Sequence, residues 1–158
     1  MVNLRKFFYL MLGVVLGVTI PVPSWARLQY GFFTTYDHLL IRTAKIHSRS
    51  NPVKGTILLL QGMGGFIEYY HDIMESLADR GYDVLTMDWR GQGDSGRFTD
   101  QRSLLYIDNF ESYVKDLKIF ISLNPHLARP LIFMASSMGG NIALHYAHKI
   151  GRATRLNS

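Results

Sequence analysis

A serine stands between small residues at Ala135-Ser136-Ser137-Met138-Gly139, directly after the apolar run Leu131-Ile132-Phe133-Met134 and before a helical stretch. A sharp strand-to-helix turn of this kind lifts the Ser137 hydroxyl clear of a sheet. Ala135 and Gly139 leave room for the turn, and the positive end of the following helix faces any negative charge that develops there. The N–H of Met138 then points toward a tetrahedral oxyanion. A serine cap at a helix start fits the same residues. A second loop, Gln61-Gly62-Met63-Gly64-Gly65, supplies what nucleophilic attack also needs: Gly62 lets the backbone turn, and the Met63 N–H becomes a second oxyanion donor. A plain Gly-rich turn that opens a helix is its alternative reading. A third loop, Gly91-Gln92-Gly93-Asp94-Ser95-Gly96, matches the G-x-G-x-x-G pattern of dinucleotide binding. That fingerprint should open a helix at once, whereas Arg97 to Ser103 is polar and aperiodic, so the dinucleotide reading is disfavoured.

These loops need elements to hold them. Residues 30 to 47 are rich in aromatic and β-branched types around the polar break Tyr36-Asp37-His38, which predicts a β-hairpin. Thr56 to Leu60, Tyr82 to Met87 and Leu131 to Met134 read as strands buried on both faces. Phe66, Tyr70, Ile73, Met74, Leu77 and Ala78 recur at helical spacing and Gly81 stops that helix. A second helix, starting near Tyr106, presents Ile107, Phe110, Val114, Leu117 and Ile121 and ends at Asn124-Pro125; a third covers about Asn141 to Lys149. A strand pair followed by three strand-helix units specifies an α/β fold, a mostly parallel sheet with helices on both faces. All three loops then fall at the carboxyl edge of the strands, where such sheets place their chemistry.

The composition fits one globular domain: 158 residues, 47% hydrophobic, 18% charged and a net charge of +5. No dense basic run with interleaved aromatics appears, so nucleic acid is not an expected partner. With no cysteine, disulfides, zinc-thiolate sites and cysteine nucleophiles are excluded. Arg5 and Lys6 precede the apolar run Phe7 to Ile20, and Ser24 and Ala26 occupy the positions of a cleavage site after Ala26. Residues 1–26 therefore read as a signal peptide or, uncleaved, a membrane anchor. The expectation is an exported domain over 27–158, periplasmic or secreted if cleaved and membrane-anchored if not. Its mildly basic balance favours a membrane surface.

Taken together, Gln61-Gly62-Met63, Asp88 to Arg97, Asp108-Asn109-Phe110 and Ser136 to Gly140 resemble the α/β-hydrolase family, in particular its monoglyceride lipase and bacterial lysophospholipase branch. The resemblance spans about residues 30 to 150 and implies that Ser137 is the nucleophile, that Met63 and Met138 give the oxyanion N–H groups, and that the Asp88 to Arg97 loop braces the site. The implied substrate is a lipid ester, a lysophospholipid or monoacylglycerol. No metal or organic cofactor is implied. Gln61 and Ser136 replace the family's usual histidines, and Ala135 replaces the first elbow glycine.

One departure bears on activity. In this family the acid and the histidine follow the serine, yet residues 138–158 hold no Asp or Glu, and their histidines, His145 and His148, lie on the helix leaving the elbow. At 1.5 Å per residue His145 lies about 12 Å along that axis from Ser137, too far for a general base. The spacing of this pair could supply half a metal site, though a solvated helix face is the better reading. His38, His47, His71 and His126 are expected to be structural or surface residues. Asp88 is expected to be a loop brace, and Asp108, Glu111 and Asp116, interleaved with Lys115 and Lys118, a solvated charged face. The chain thus reads as the amino-terminal half of the fold, truncated after the nucleophile helix, inactive by itself unless an acid and histidine come from outside it. The competing reading is a remnant or binding module that self-associates through the exposed apolar edge of Leu131 to Met134.

Overall fold

The computed structural model describes residues 28–101 and 104–156. The expected leader, with its cleavage point after Ala26, lies outside the described residues. Strands β1 (Gln29–Thr34), β2 (Leu40–Ile46), β3 (Gly55–Leu60), β4 (Tyr82–Met87) and β5 (Leu131–Ala135) form one sheet in the order β1-β2-β4-β3-β5. β1 and β2 are the expected hairpin, and β2 also runs antiparallel to β4; β3 lies between β4 and β5, parallel to both. The helices are α1 (His71–Asp79), α2 (Glu111–Ser122) and α3 (Ser137–Leu156). None among the described residues is long and apolar enough to cross a membrane.

β3 is central because all six of its residues are buried, and its alternation divides the core in two. Leu58 and Leu60 face Tyr113, Leu117 and Phe120 of α2 and Ile142 and Tyr146 of α3. Ile57 and Leu59 face the other way, onto Ile67 and onto Met74 and Ala78 of α1. A strand covered on both faces needs apolar residues at successive positions, which is why its signal is a continuous run rather than an alternation.

Four local expectations are corrected. The first helix opens as a 3₁₀ turn, Ile67–Tyr70, and buries Ile67 while Ile73 stays 44% exposed. The second starts at Glu111 rather than near Tyr106, because the Asn109 carboxamide oxygen accepts the Glu111 N–H at 2.8 Å and sets the first turn there; Ile107 packs on the core from the preceding loop. The third starts at Ser137 itself, since strand and helix join through a single residue. β5 is half-exposed rather than buried, being the last strand of the described sheet.

Candidate active site

β3, β4 and β5 run parallel, so the loops leaving Leu60, Met87 and Ala135 share one edge. Ser137 is exposed and has φ +47°, one of two non-glycine residues with positive φ among the described residues. A left-handed conformation at a residue with a side chain costs about 1–3 kcal/mol and persists only where the surroundings impose it. Here the Ser136 N–H donates to the Leu60 carbonyl at 3.1 Å. A methyl group at Gly139 would overlap the carbonyl oxygens of Leu60 and Gln61. The elbow is thus pressed onto the end of β3. The Met138 N–H lies in the first turn of α3, where backbone donors have no intrahelical acceptor.

The β3 loop reaches the same point. A Cβ on Gly62 would stand 3.3 Å from the Ser137 Cβ and 3.5 Å from the Ser136 Oγ. The Gly65 N–H closes a turn onto the Gly62 carbonyl at 3.2 Å, and Met63, 69% exposed, sits at its crest. Gln61 is fully buried: its Nε2 donates to the Met87 carbonyl at 2.9 Å, and its own carbonyl accepts the Trp89 indole N–H at 2.9 Å. The three sequence-predicted residues Met63, Ser137 and Met138 therefore belong to two loops in direct contact.

The G-x-G-x-x-G loop encloses a carboxylate of the protein itself. Asp88, fully buried, accepts the Ile67 N–H at 2.9 Å and the Asp94 N–H at 3.1 Å, and pairs with the Arg42 guanidinium at 2.9 Å. A Cβ on Gly93, φ +51°, would overlap that carboxylate. Of the three glycines in the pattern Gly93 faces Asp88, while Gly91 lies against Leu105 and Gly96 against the Leu40 backbone, so each is explained by close packing within the protein. Burial pushes the Asp88 carboxyl up, against the two N–H bonds and Arg42. The brace expected of this residue is what its bonds provide.

Sequence reasoning missed the cations that tie the edge together. Arg42, on β2, bonds Asp94 and Glu68 at 2.7 Å in addition to Asp88. Arg90, 2% exposed, bonds Asp116 of α2 at 2.7 and 2.8 Å and Asp37 of the hairpin tip at 2.7 Å. Asp116 is fully buried, which corrects its expected place on a solvated face. Its helix turns it inward toward Arg90, a residue 26 positions away that no local pattern reveals. Burial alone would raise the Asp37 carboxyl, but bonds from Arg90 and Thr35 outweigh it and hold it at about 2. The Arg90 guanidinium, pulled down by burial, is raised further by its two carboxylates.

His145 is exposed, with its ring 5.7 Å from that of Phe110, and His148 is exposed farther along α3. His71 lies within 3.9 Å of Glu75 on α1. No group of three His, Asp or Glu side chains is arranged to hold a metal among the described residues. Beside the Gly62 to Gly65 turn opens a cleft of about 610 Å³, lined by Met63, Phe66, Glu68, Gln92, Arg97 and Leu105 among others.

Residues 51–156 match the family described as serine aminopeptidase, S33. The chain is 29% identical over 121 residues to lysophospholipase L2 of Escherichia coli, covering 75% of this chain and 35% of that protein. It is 31% identical over 106 residues to the monoglyceride lipase of Saccharomyces cerevisiae, covering 65% and 33%. Among solved structures, an α/β hydrolase from Novosphingobium aromaticivorans superposes with a TM-score of 0.64 at 20% identity, over 78% of this chain and 40% of that one. An epoxide hydrolase from Vigna radiata superposes at 0.61 and 16% identity, over 77% and 34%. The chain spans about a third of the length of the curated relatives it matches.

Proposed function

The chain belongs to the serine aminopeptidase S33 family of α/β-hydrolases, and on that premise we propose that its site cleaves carboxylic esters of lipids with Ser137 as nucleophile. The observation that carries this reading is the left-handed Ser137 at the head of α3, held against Gly62 of the neighbouring loop. The names of the lysophospholipase and monoglyceride lipase relatives support a lysophospholipid or monoacylglycerol as substrate.

In this mechanism the Ser137 Oγ forms a bond to the ester carbonyl carbon and its proton passes to a base. The carbonyl electron pair moves onto oxygen, where the N–H groups of Met63 and Met138 receive it. Collapse expels the alcohol, which takes up the proton, and water then releases the fatty acid from Ser137. The mechanism requires an acid and a histidine to move these protons. Export through the leader would bring the site to a membrane surface, where its substrate resides.

Treating the folded protein with a fluorophosphonate probe tests the reading: Ser137 is labelled, and Ser137→Ala is not. Folded protein that stays unlabelled loses the catalytic assignment. A second reading, self-association through β5, is favoured by Met134, which is 39% exposed on the last strand of the described sheet.

A further inference from the structure

One face of the β1–β2 hairpin carries large apolar side chains that the core does not take up. Phe33 of β1 packs against Phe120 of α2, with ring centroids 6.0 Å apart. Successive side chains of a strand point to opposite faces, so Tyr30 and Phe32 lie on the other side of the sheet, where they remain 51% and 56% exposed. Leu40, two residues before the Arg42 that stands opposite Phe32, shares that side and is 50% exposed. α1 packs on the same side farther in, at Ala44 and Ile46 of β2, and leaves these outer positions open. The open side of a hairpin ordinarily carries polar residues.

This strip continues to the cleft beside the candidate site. The Arg42 guanidinium lies 5.3 Å from the centre of the Tyr30 ring and bonds Glu68 at 2.7 Å. Glu68 and Phe66 both line the cleft, and the Phe66 ring packs on that of Tyr69, itself 70% exposed, with centroids 3.9 Å apart.

The sequence before β1 identifies what faces the strip. Gln29, the first residue of β1, follows Ile20, the last of the apolar run, by nine residues, a reach of about 30 Å at most. β1 is therefore the strand tethered nearest to any bilayer that the run enters. Tryptophan and tyrosine settle at headgroup level because each joins an apolar ring to a polar tip. Trp25, Tyr30 and Tyr69 are of this type, and Phe32 and Leu40 add apolar area between them.

We propose that Tyr30, Phe32, Leu40 and Tyr69 seat this face on the surface of a lipid bilayer, bringing the cleft lined by Phe66 and Glu68 to the lipid. The proposal rests on the membrane-surface reading of the function and does not depend on Ser137 being the nucleophile.

The chain has no cysteine, so one introduced thiol takes one label. Phe32→Cys and Leu40→Cys are made singly in the full 158-residue chain. Lys118→Cys, at an exposed position of α2 across the sheet, is the control. Each carries an environment-sensitive fluorophore and is mixed with vesicles of phosphatidylethanolamine and phosphatidylglycerol, with and without a nitroxide-labelled lipid. Vesicles should shift the emission at positions 32 and 40 to the blue, and the nitroxide should quench it at least about threefold more than at position 118. The two sites are read separately, so misfolding of one labelled chain leaves the other to decide. A chain that floats with the vesicles while positions 32 and 40 are quenched no more than 118 keeps the membrane reading and overturns this face. A chain that does not float with them overturns both. A blue shift that arises without vesicles and grows with protein concentration assigns the strip to a second copy of the chain, which also overturns the proposal.

Discussion

At residue scale the site depends on backbone conformations that side chains resist. Ser137 adopts φ +47° because the end of β3 and the opening of α3 leave the chain no other path. Replacing it by glycine removes the penalty, so Ser137→Gly should be more stable than the wild type by about 1 kcal/mol, a gain of about 2–4 °C in melting temperature. Ser137→Ala keeps the Cβ and should melt like the wild type; equal melting of the two variants would show that Ser137 is unstrained. Gly139 carries the opposite constraint. Since any Cβ there overlaps the Leu60 and Gln61 carbonyls, Gly139→Ala should cost at least about 1–3 kcal/mol in a denaturant melt.

Among the elements, Arg90 is the clasp joining the hairpin tip, the β4 loop and α2. Arg90→Met leaves Asp116 buried with its counter-charge removed, at a cost of about 3–5 kcal/mol. Substituting Leu for Asp116 in the same chain removes the stranded charge, so the double variant should be more stable than Arg90→Met alone. A double variant no better than the single would mean that packing, not charge, sets the loss. The Asp37 arm of the clasp is pH-dependent. Its folded pKa of about 2 lies below the ordinary value of 3.8, so its contribution is complete above about pH 4 and is lost as pH falls through about 2. Carboxyl NMR should give Asp37 a midpoint near 2, and Asp37→Asn should flatten the acid limb of the stability curve.

Across the whole molecule, the described sheet ends on a half-exposed strand with an apolar sequence, a surface that pairs readily with another strand. If the self-association reading holds, sedimentation velocity should show a species that grows with concentration, and Met134→Lys should reduce it. A wild-type chain that remains monomeric across the concentration range rules that reading out.

The strands and the three loops at one edge were legible in the sequence because each rests on a short-range signal: an apolar run, a helical period, a glycine at a turn. Ser137, Met63 and Met138 could be singled out for the same reason, since an elbow is local chemistry. The tertiary structure alone decided which charges matter. Asp116 sits among lysines in the sequence and reads as solvated, yet it is buried against a guanidinium 26 residues away. Arg42 gathers Glu68, Asp88 and Asp94 from two other loops, and Gln92 reaches Gly64 across 28 positions. Hydrogen bonds and ion pairs act over about 3 Å in space regardless of separation along the chain, so only the folded sheet, by bringing the strand ends to one edge, determines which residues they join.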